Sequence, residues 1–375
     1  MAIINDQVVS FNVPENARDV SNIFYNLGYP KTPFLNEVAI GDSVTNTIHH
    51  WWEKVLMPSK STVAAGHNYT ASDGQIYLTS AVGVKVGSLL KITNTAGGTT
   101  LLRVSAAPNY TTGLCGTVVV VANDGNAAAG CVVEIMTNAQ LENAAHANTS
   151  FAPKAQNDNV TQIMTEFIEI SATEQAIKRE VDPGSLIDKI AMEKMELLYF
   201  QLSKLLWNSY KVSPTDNLTP RVMGGLLYYI GLNGYCPSAA TFSTDNLDAF
   251  LLAAEQDHGA DISELWMNPI DIKRFRALDD SKRRLDNTAT SAGTPERTVY
   301  LSDYGYTPEL HTDPQIPPKS IVLTDPSKVL LCPLQTRQMQ IADVMTLTDG
   351  MKKAVVGEYT LEVNPSNRMG IFLCS

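Results

Sequence analysis

Charge is what this 375-residue chain has least of over a long stretch. In residues 61–150 only Asp73, Lys85, Lys91, Arg103, Asp124, Glu134 and Glu142 carry formal charge. Basic residues are scarce throughout. The chain has 28 Lys and Arg against 39 Asp and Glu, a net charge of −11 at pH 7. That balance excludes a broad nucleic-acid or anionic-membrane surface. No apolar run reaches the roughly 18 residues of a membrane span. Residues 1–12 lack a basic segment leading into an apolar one, so secretion through a signal peptide is not expected. Cysteine is sparse too: Cys115, Cys131, Cys236, Cys332 and Cys374 are scattered and never in C-x-x-C spacing. They read as reduced thiols, not as a disulfide framework.

Catalytic signatures are missing as well. There is no H-E-x-x-H, no G-x-S-x-G and no Cys/His group at zinc spacing. The segment 83–88 (GVKVGS) has phosphate-loop glycine spacing without the Lys-Ser/Thr ending. His49 and His50 are neighbours on a predicted strand, where adjacent side chains point apart, which argues against a shared metal. His311 and Asp313 share a face if extended, but a pair completes no coordination sphere. The expectation is a protein that is not an enzyme and takes no cofactor.

What is present is a contrast. The low-charge stretch contains five β-like runs, 76–82, 86–92, 101–104, 118–121 and 131–135, punctuated by glycines. Short strands at this spacing predict a small closed barrel or sandwich over about 74–138. Ahead of it, residues 1–35 read as an extended arm interrupted by Pro14, Gly28, Pro30 and Pro33, with one helical turn over 17–25. Residues 48–56 read as a strand that sends Trp51 and Trp52 to opposite faces. Beyond the module, 159–171 is β-rich. Asp182-Pro183 is then expected to open a helix of about 25 residues, some 37 Å long. Its apolar stripe is Ile187, Ala191, Met195, Leu198, Leu202 and Leu205, and core packing is the simplest reading of it. From 220 to 340 helices and strands alternate. A strand over 354–363 is expected to turn back as a hairpin around 364–367.

One basic cluster stands out: Lys273, Arg274, Arg276, Lys282, Arg283 and Arg284. Three readings stay open: a solvated face with its own ion pairs, a contact to an acidic neighbour, or a patch touching DNA phosphate. Phe275 is the one aromatic within it, which weakens the last.

Several short motifs occur in a telling order: Thr32-Pro33-Phe34, then His50-Trp51-Trp52-Glu53-Lys54-Val55-Leu56, then Asn159-Val160-Thr161-Gln162-Ile163 leading to Ile170-Ser171-Ala172-Thr173. The predicted long helix, Gly224-Gly225-Leu226, Tyr300-Leu301-Ser302-Asp303-Tyr304-Gly305 and Val356-Gly357-Glu358-Tyr359-Thr360-Leu361 follow. This order resembles the tailed-phage major capsid proteins of the Hong Kong 97-type fold, in the group with a β-domain inserted in the extended loop. The resemblance implies an α+β fold with an N-terminal arm and lead-in (1–49) and an extended loop (50–160) carrying the β-barrel-like insertion (74–138). It implies a peripheral domain with a spine helix (161–219), an axial domain (220–340), and C-terminal strands returning to the peripheral domain (341–375).

It further implies a major capsid protein of the virion, assembled in the host cytoplasm into the pentamers and hexamers of an icosahedral head. Packaged double-stranded DNA, a portal, and scaffolding or decoration proteins would be its partners besides itself, with no membrane. Phe34, Trp51, Trp52 and Lys60 are expected at contacts between subunits. Some relatives cross-link a loop lysine, but nothing identifies an acceptor for Lys60, so that chemistry is not expected. The competing reading is a phage tail or receptor-binding protein whose module binds surface carbohydrate through exposed Tyr69, Tyr77 and Tyr110.

Overall fold

The computed structural model describes residues 32–54, 57–70, 72–95, 97–116, 118–122, 125–140, 142, 154–177, 185–216, 218–276, 283–286, 297–345 and 349–375. Residues 1–31 of the expected arm, Asp182-Pro183 and Lys282 lie outside them; the arm's last residues fall in a short helix, Pro33–Glu37, where extended chain was expected. Among the described residues no helix is long and apolar enough to cross a membrane.

The spine helix runs 23 residues, Leu186–Asn208, with extended Ser185 as its N-cap, so it opens after the Asp182-Pro183 start that was expected. Ile187, Ala191, Leu198, Leu202, Leu206 and Trp207 are buried along it, while Met195 and Leu205 are partly covered. This face lies on a five-stranded sheet. The strand order is Ala39–Ile40, Val329–Pro333, Gly350–Val363, Gln162–Ser171, and Gln340–Val344 also pairs with the long strand. Gln162–Ser171 alternates as a half-covered strand should: Met164, Ile168 and Ile170 face the helix, Ile163 and Phe167 face out. Phe34 is fully buried between Trp207 and Trp266, with ring centroids at 4.2 and 5.0 Å. Expected at a subunit contact, Phe34 is instead covered by its own chain and has no surface left to offer.

The helix Leu226–Asn233 starts where the spine ends. A Cβ on Gly225 would sit 2.7 Å from the Leu205 carbonyl oxygen and 2.9 Å from the Ser209 nitrogen. Both obstacles are backbone, so no side chain can swing aside. Gly225→Ala is therefore expected to destabilise the subunit by about 1 to 3 kcal/mol, read as a lower urea midpoint.

A second, six-stranded sheet has the order Arg283–Asp286, Arg297–Tyr300, Glu309–Thr312, Glu264–Met267, Ser320–Leu323, Gly370–Leu373. The helix Thr244–His258 covers it, burying Leu247, Phe250 and Leu251 against Leu265, Ile321 and Phe372. Its ends are conventional: the Ser243 hydroxyl accepts from the Asn246 N–H, and Gly259 adopts a left-handed cap at φ 63°.

Two sequence expectations fail here for one reason. Val329–Pro333, read as part of the 220–340 unit, pairs with Gly350–Val363 in the first sheet. The expected C-terminal hairpin does not form: next to the turn, one edge of Gly350–Val363 is held by Val329–Pro333, and on the other the Asn159 side chain takes the Leu361 carbonyl. Farther from the turn, Gln340–Val344 pairs along the first edge and Gln162–Ser171 along the second. The turn Ser366–Arg368 therefore hands the last strand, Gly370–Leu373, to Ser320–Leu323 in the second sheet. Not all of 341–375 returns to the sheet beneath the spine helix.

From this body runs a two-stranded ribbon. Ile48–Lys54 pairs antiparallel with Lys154–Val160, placing Trp51 opposite Asn157. Between the two strands lies the low-charge module. Its five-stranded sheet has the order Lys60–Thr62, Val132–Asn138, Ser88–Thr93, Thr99–Val104, Val118–Ala122. A two-stranded piece, Ile76–Tyr77 with Leu114–Cys115, spans the gap between its edges. Val63 bridges to Leu78 on one side, and the Val118 N–H donates to the Gly74 carbonyl at 2.7 Å on the other. The sheet is thus rolled almost shut around Val63, Leu78, Leu90, Ile92, Leu102 and Val133, and rolling removes exposed edges. It begins at Lys60, well before Gly74, because a three-residue polar strand leaves no apolar run to read.

The module also corrects the tyrosine expectation. Tyr69 is buried at 1% exposure, and Tyr77 is half-buried with His67 stacked on it at 4.0 Å. Of the three, Tyr110 alone is exposed. A row of open aromatics, the basis of the carbohydrate reading, is not there.

Candidate assembly site at the ribbon base

Four of the motifs that ran in order along the chain, around Trp51, Asn159, Gly224 and Glu358, meet where ribbon joins body. Asn159, fully buried, ends the returning ribbon strand. Its Nδ2 donates to the Leu361 carbonyl at 2.8 Å and the Gly224 carbonyl at 3.1 Å. Its Oδ1 accepts from the N–H of Gly224 at 2.8 Å and of Val160 at 2.9 Å. Every hydrogen-bonding position of the amide is used. Two residues on, the Thr161 hydroxyl donates to Glu358 at 2.6 Å, and the Gln162 side chain accepts from the Met223 N–H at 3.1 Å.

Glu358 is 1% exposed and carries two cations: Arg221 at 2.8 Å and Arg337 at 3.1 Å. One buried carboxylate thus joins the long strand, the loop before Gly224, and the loop after Val329–Pro333. A buried charge is tolerable only with such partners.

The outgoing strand is fixed by a second buried carboxylate. Glu53, 4% exposed, accepts from the Trp51 indole N–H at 3.0 Å and from the Ser366 N–H and hydroxyl, both at 3.1 Å. Trp51 itself is buried edge-on against Tyr229, with centroids 5.4 Å apart. The Tyr229 hydroxyl donates to the Asp158 carbonyl at 2.8 Å, and burial pushes its titration far above the usual range. His49 adds an ion-pair contact to Glu362 at 2.9 Å. That imidazole holds the Glu362 carboxyl below its ordinary value, against the opposite pull of burial.

The residues expected at subunit contacts therefore separate. Trp51 joins Phe34 in this chain's own core and is not available to a neighbour. Trp52, on the opposite face as the period-2 reading requires, is 60% exposed beside Ile48 at 41%. Lys60 is exposed and donates to Gln256 of the helix Thr244–His258 at 3.2 Å. In the basic cluster, Lys273 is exposed, and Arg274 is paired with Asp271 at 3.1 Å. Arg276 ends a short helix, Ile272–Arg276, and Arg283 and Arg284 open the strand Arg283–Asp286. Sequence reasoning assigned no role to Asn159, Glu53, Glu358, Arg221 or Arg337. A glutamate inside an otherwise apolar strand (VVGEYTLEV) or beside two tryptophans was the available signal.

A body of two sheets, a spine helix and a clamped, projecting ribbon defines a capsid shell protein of the Hong Kong 97-like fold. The chain is similar in fold to the capsid asymmetric unit of cyanophage A-1(L), at 10% identity and TM-score 0.55, covering 98% of this chain and 99% of that one. It is similar also to the capsid of an empty GTA particle, at 10% identity and TM-score 0.52, covering 98% of each. No curated protein matches it. The family model described as SU10 major capsid protein matches residues 3–373, and the chain belongs to that family. It is a structural, capsid-forming protein of the virion that assembles with copies of itself.

Proposed function

We propose that copies of this chain form the pentamers and hexamers of an icosahedral head that encloses double-stranded DNA, assembled in the host cytoplasm. The ribbon and its module lie over adjacent subunits, and a portal and scaffolding or decoration proteins complete the particle. One observation carries this reading: a ribbon whose base is held by buried hydrogen bonds leaves Trp52 and Ile48 open on its outer face. Exposed apolar surface on a firmly held projection favours cover by a partner, and in a self-assembling protein that partner is another copy.

Trp52→Ala tests it. Closed shells counted by negative-stain microscopy are expected to fall at least tenfold, since about 1.4 kcal/mol at one contact is already a factor of ten. The unassembled subunit is expected to lose no more than about 0.5 kcal/mol, as for surface substitutions generally. Normal shell yield from this variant overturns the ribbon's assignment. With a net charge of −11, the wall encloses DNA without gripping it, because like charges repel. Sub-micromolar binding of duplex DNA by the subunit at physiological salt would contradict that part. The Arg274–Asp271 pair favours the solvated-face reading of the basic cluster over a phosphate contact.

A further inference from the structure

The cleft beside the ribbon base surrounds the His49–Glu362 contact of the clamp and adds a thiol that the clamp does not use. It has a volume of about 480 Å³ and is lined by the loop 42–46, Ile48, His49, Leu330, Cys332 and Glu362. Three of these, from three strands, are metal-ligating side chains: His49 Nε2, Cys332 Sγ and a Glu362 carboxylate oxygen lie within 4.8 Å of one another. Sheet register explains the meeting. Leu330 faces Glu362 and Cys332 faces Thr360, so Cys332 and Glu362 are diagonal neighbours on one face. His49 arrives over that face from the ribbon. Gly41 lies on the other flank, where a Cβ would sit 2.7 Å from Sγ. A larger residue there would push the thiol out of the group.

We propose that His49, Cys332 and Glu362 form a site for a divalent metal ion of the zinc class, with its fourth position open to water in the cleft. Nitrogen, sulfur and oxygen donors together suit Zn²⁺, and three protein ligands plus water is a common tetrahedral set. Ligand atoms around such an ion sit roughly 3.3 to 3.8 Å apart. The 2.9 Å His49–Glu362 contact therefore opens slightly and the widest separation closes, both by side-chain rotation. On binding, the Cys332 S–H proton and the proton shared by His49 Nε2 and Glu362 pass to water as the Sγ–metal and Nε2–metal bonds form, and the ion sheds a hydration water for each protein ligand. The Asp42 carboxylate, also lining the cleft, adds negative potential around a dication. The bound ion would tie the ribbon strand to two strands of the body.

The test uses untagged, chelator-treated protein titrated with Co²⁺, then with Zn²⁺ as competitor. One Co²⁺ per chain is expected to give a near-ultraviolet sulfur-to-cobalt charge-transfer band and visible bands of tetrahedral cobalt, both abolished by Zn²⁺. Cys332→Ser removes the charge-transfer band, and Glu362→Gln weakens Co²⁺ binding by at least about tenfold. Cys236→Ser, at the exposed thiol, leaves both unchanged. Should Cys332→Ser fail to fold, Glu362→Gln and His49→Gln carry the test, and each must weaken binding. Absence of the band in the parent protein, its survival in Cys332→Ser, or its loss in Cys236→Ser overturns the site.

Discussion

Replacing Glu358 by alanine is expected to cost the subunit about 3 to 5 kcal/mol, the range found when one partner of a buried ion pair is removed. The reason is what stays behind. Thr161 is fully buried and loses its acceptor. Arg221, with its side chain 25% exposed, loses its counter-charge, whereas Arg337 at 44% can turn to water. The penalty therefore falls mainly on Arg221 and Thr161. Glu358→Gln keeps an acceptor for Thr161 and one guanidinium bond, so it is expected to lose less than half as much. Urea unfolding of the unassembled subunit measures both. Equal losses below about 1 kcal/mol would mean that the arginines are simply hydrated and the network holds nothing.

Asn159→Ala is the second large effect, expected at about 3 to 4 kcal/mol, near 1 kcal/mol for each of four hydrogen bonds. Removing the amide strands the N–H and C=O of Gly224 and the C=O of Leu361 in a buried place. Asn159→Asp sharpens the test. It keeps both acceptor bonds but turns an oxygen toward two carbonyls, so it too is expected to destabilise by more than 2 kcal/mol. The ribbon should loosen first, seen as faster amide exchange over 154–160 before the spine helix is affected. Unchanged protection there, with global stability intact, would remove Asn159 from the clamp.

Much of this architecture was legible because local patterns carry long-range information. Alternation over 48–56 sent Trp51 and Trp52 to opposite faces, though not which of them turns inward, and the 3–4 spacing over 187–205 marked the face that meets the sheet. The low-charge glycine-punctuated runs marked the module. Pairing choices were not legible. Gly350–Val363 looks equally ready to pair with 370–373 as with anything else, and only the occupancy of its edges decides. The arginine–glutamate network was hidden for a similar reason: Arg221, Arg337 and Glu358 are separated by more than a hundred residues at the widest, and no local period links them. Phe34 misled because an aromatic beside a proline in a polar lead-in gives no sign that two tryptophans far along the chain close over it.

The rolled module enters and leaves through strands that lie side by side, with Lys60 opposite Glu134. Its two ends are therefore no farther apart than any hairpin's, and a tight turn can substitute for everything between them without stretching the ribbon. The same port would accept an unrelated domain of similar end-to-end span. The projecting module can thus diversify by cassette exchange at this one seam while the body keeps its geometry.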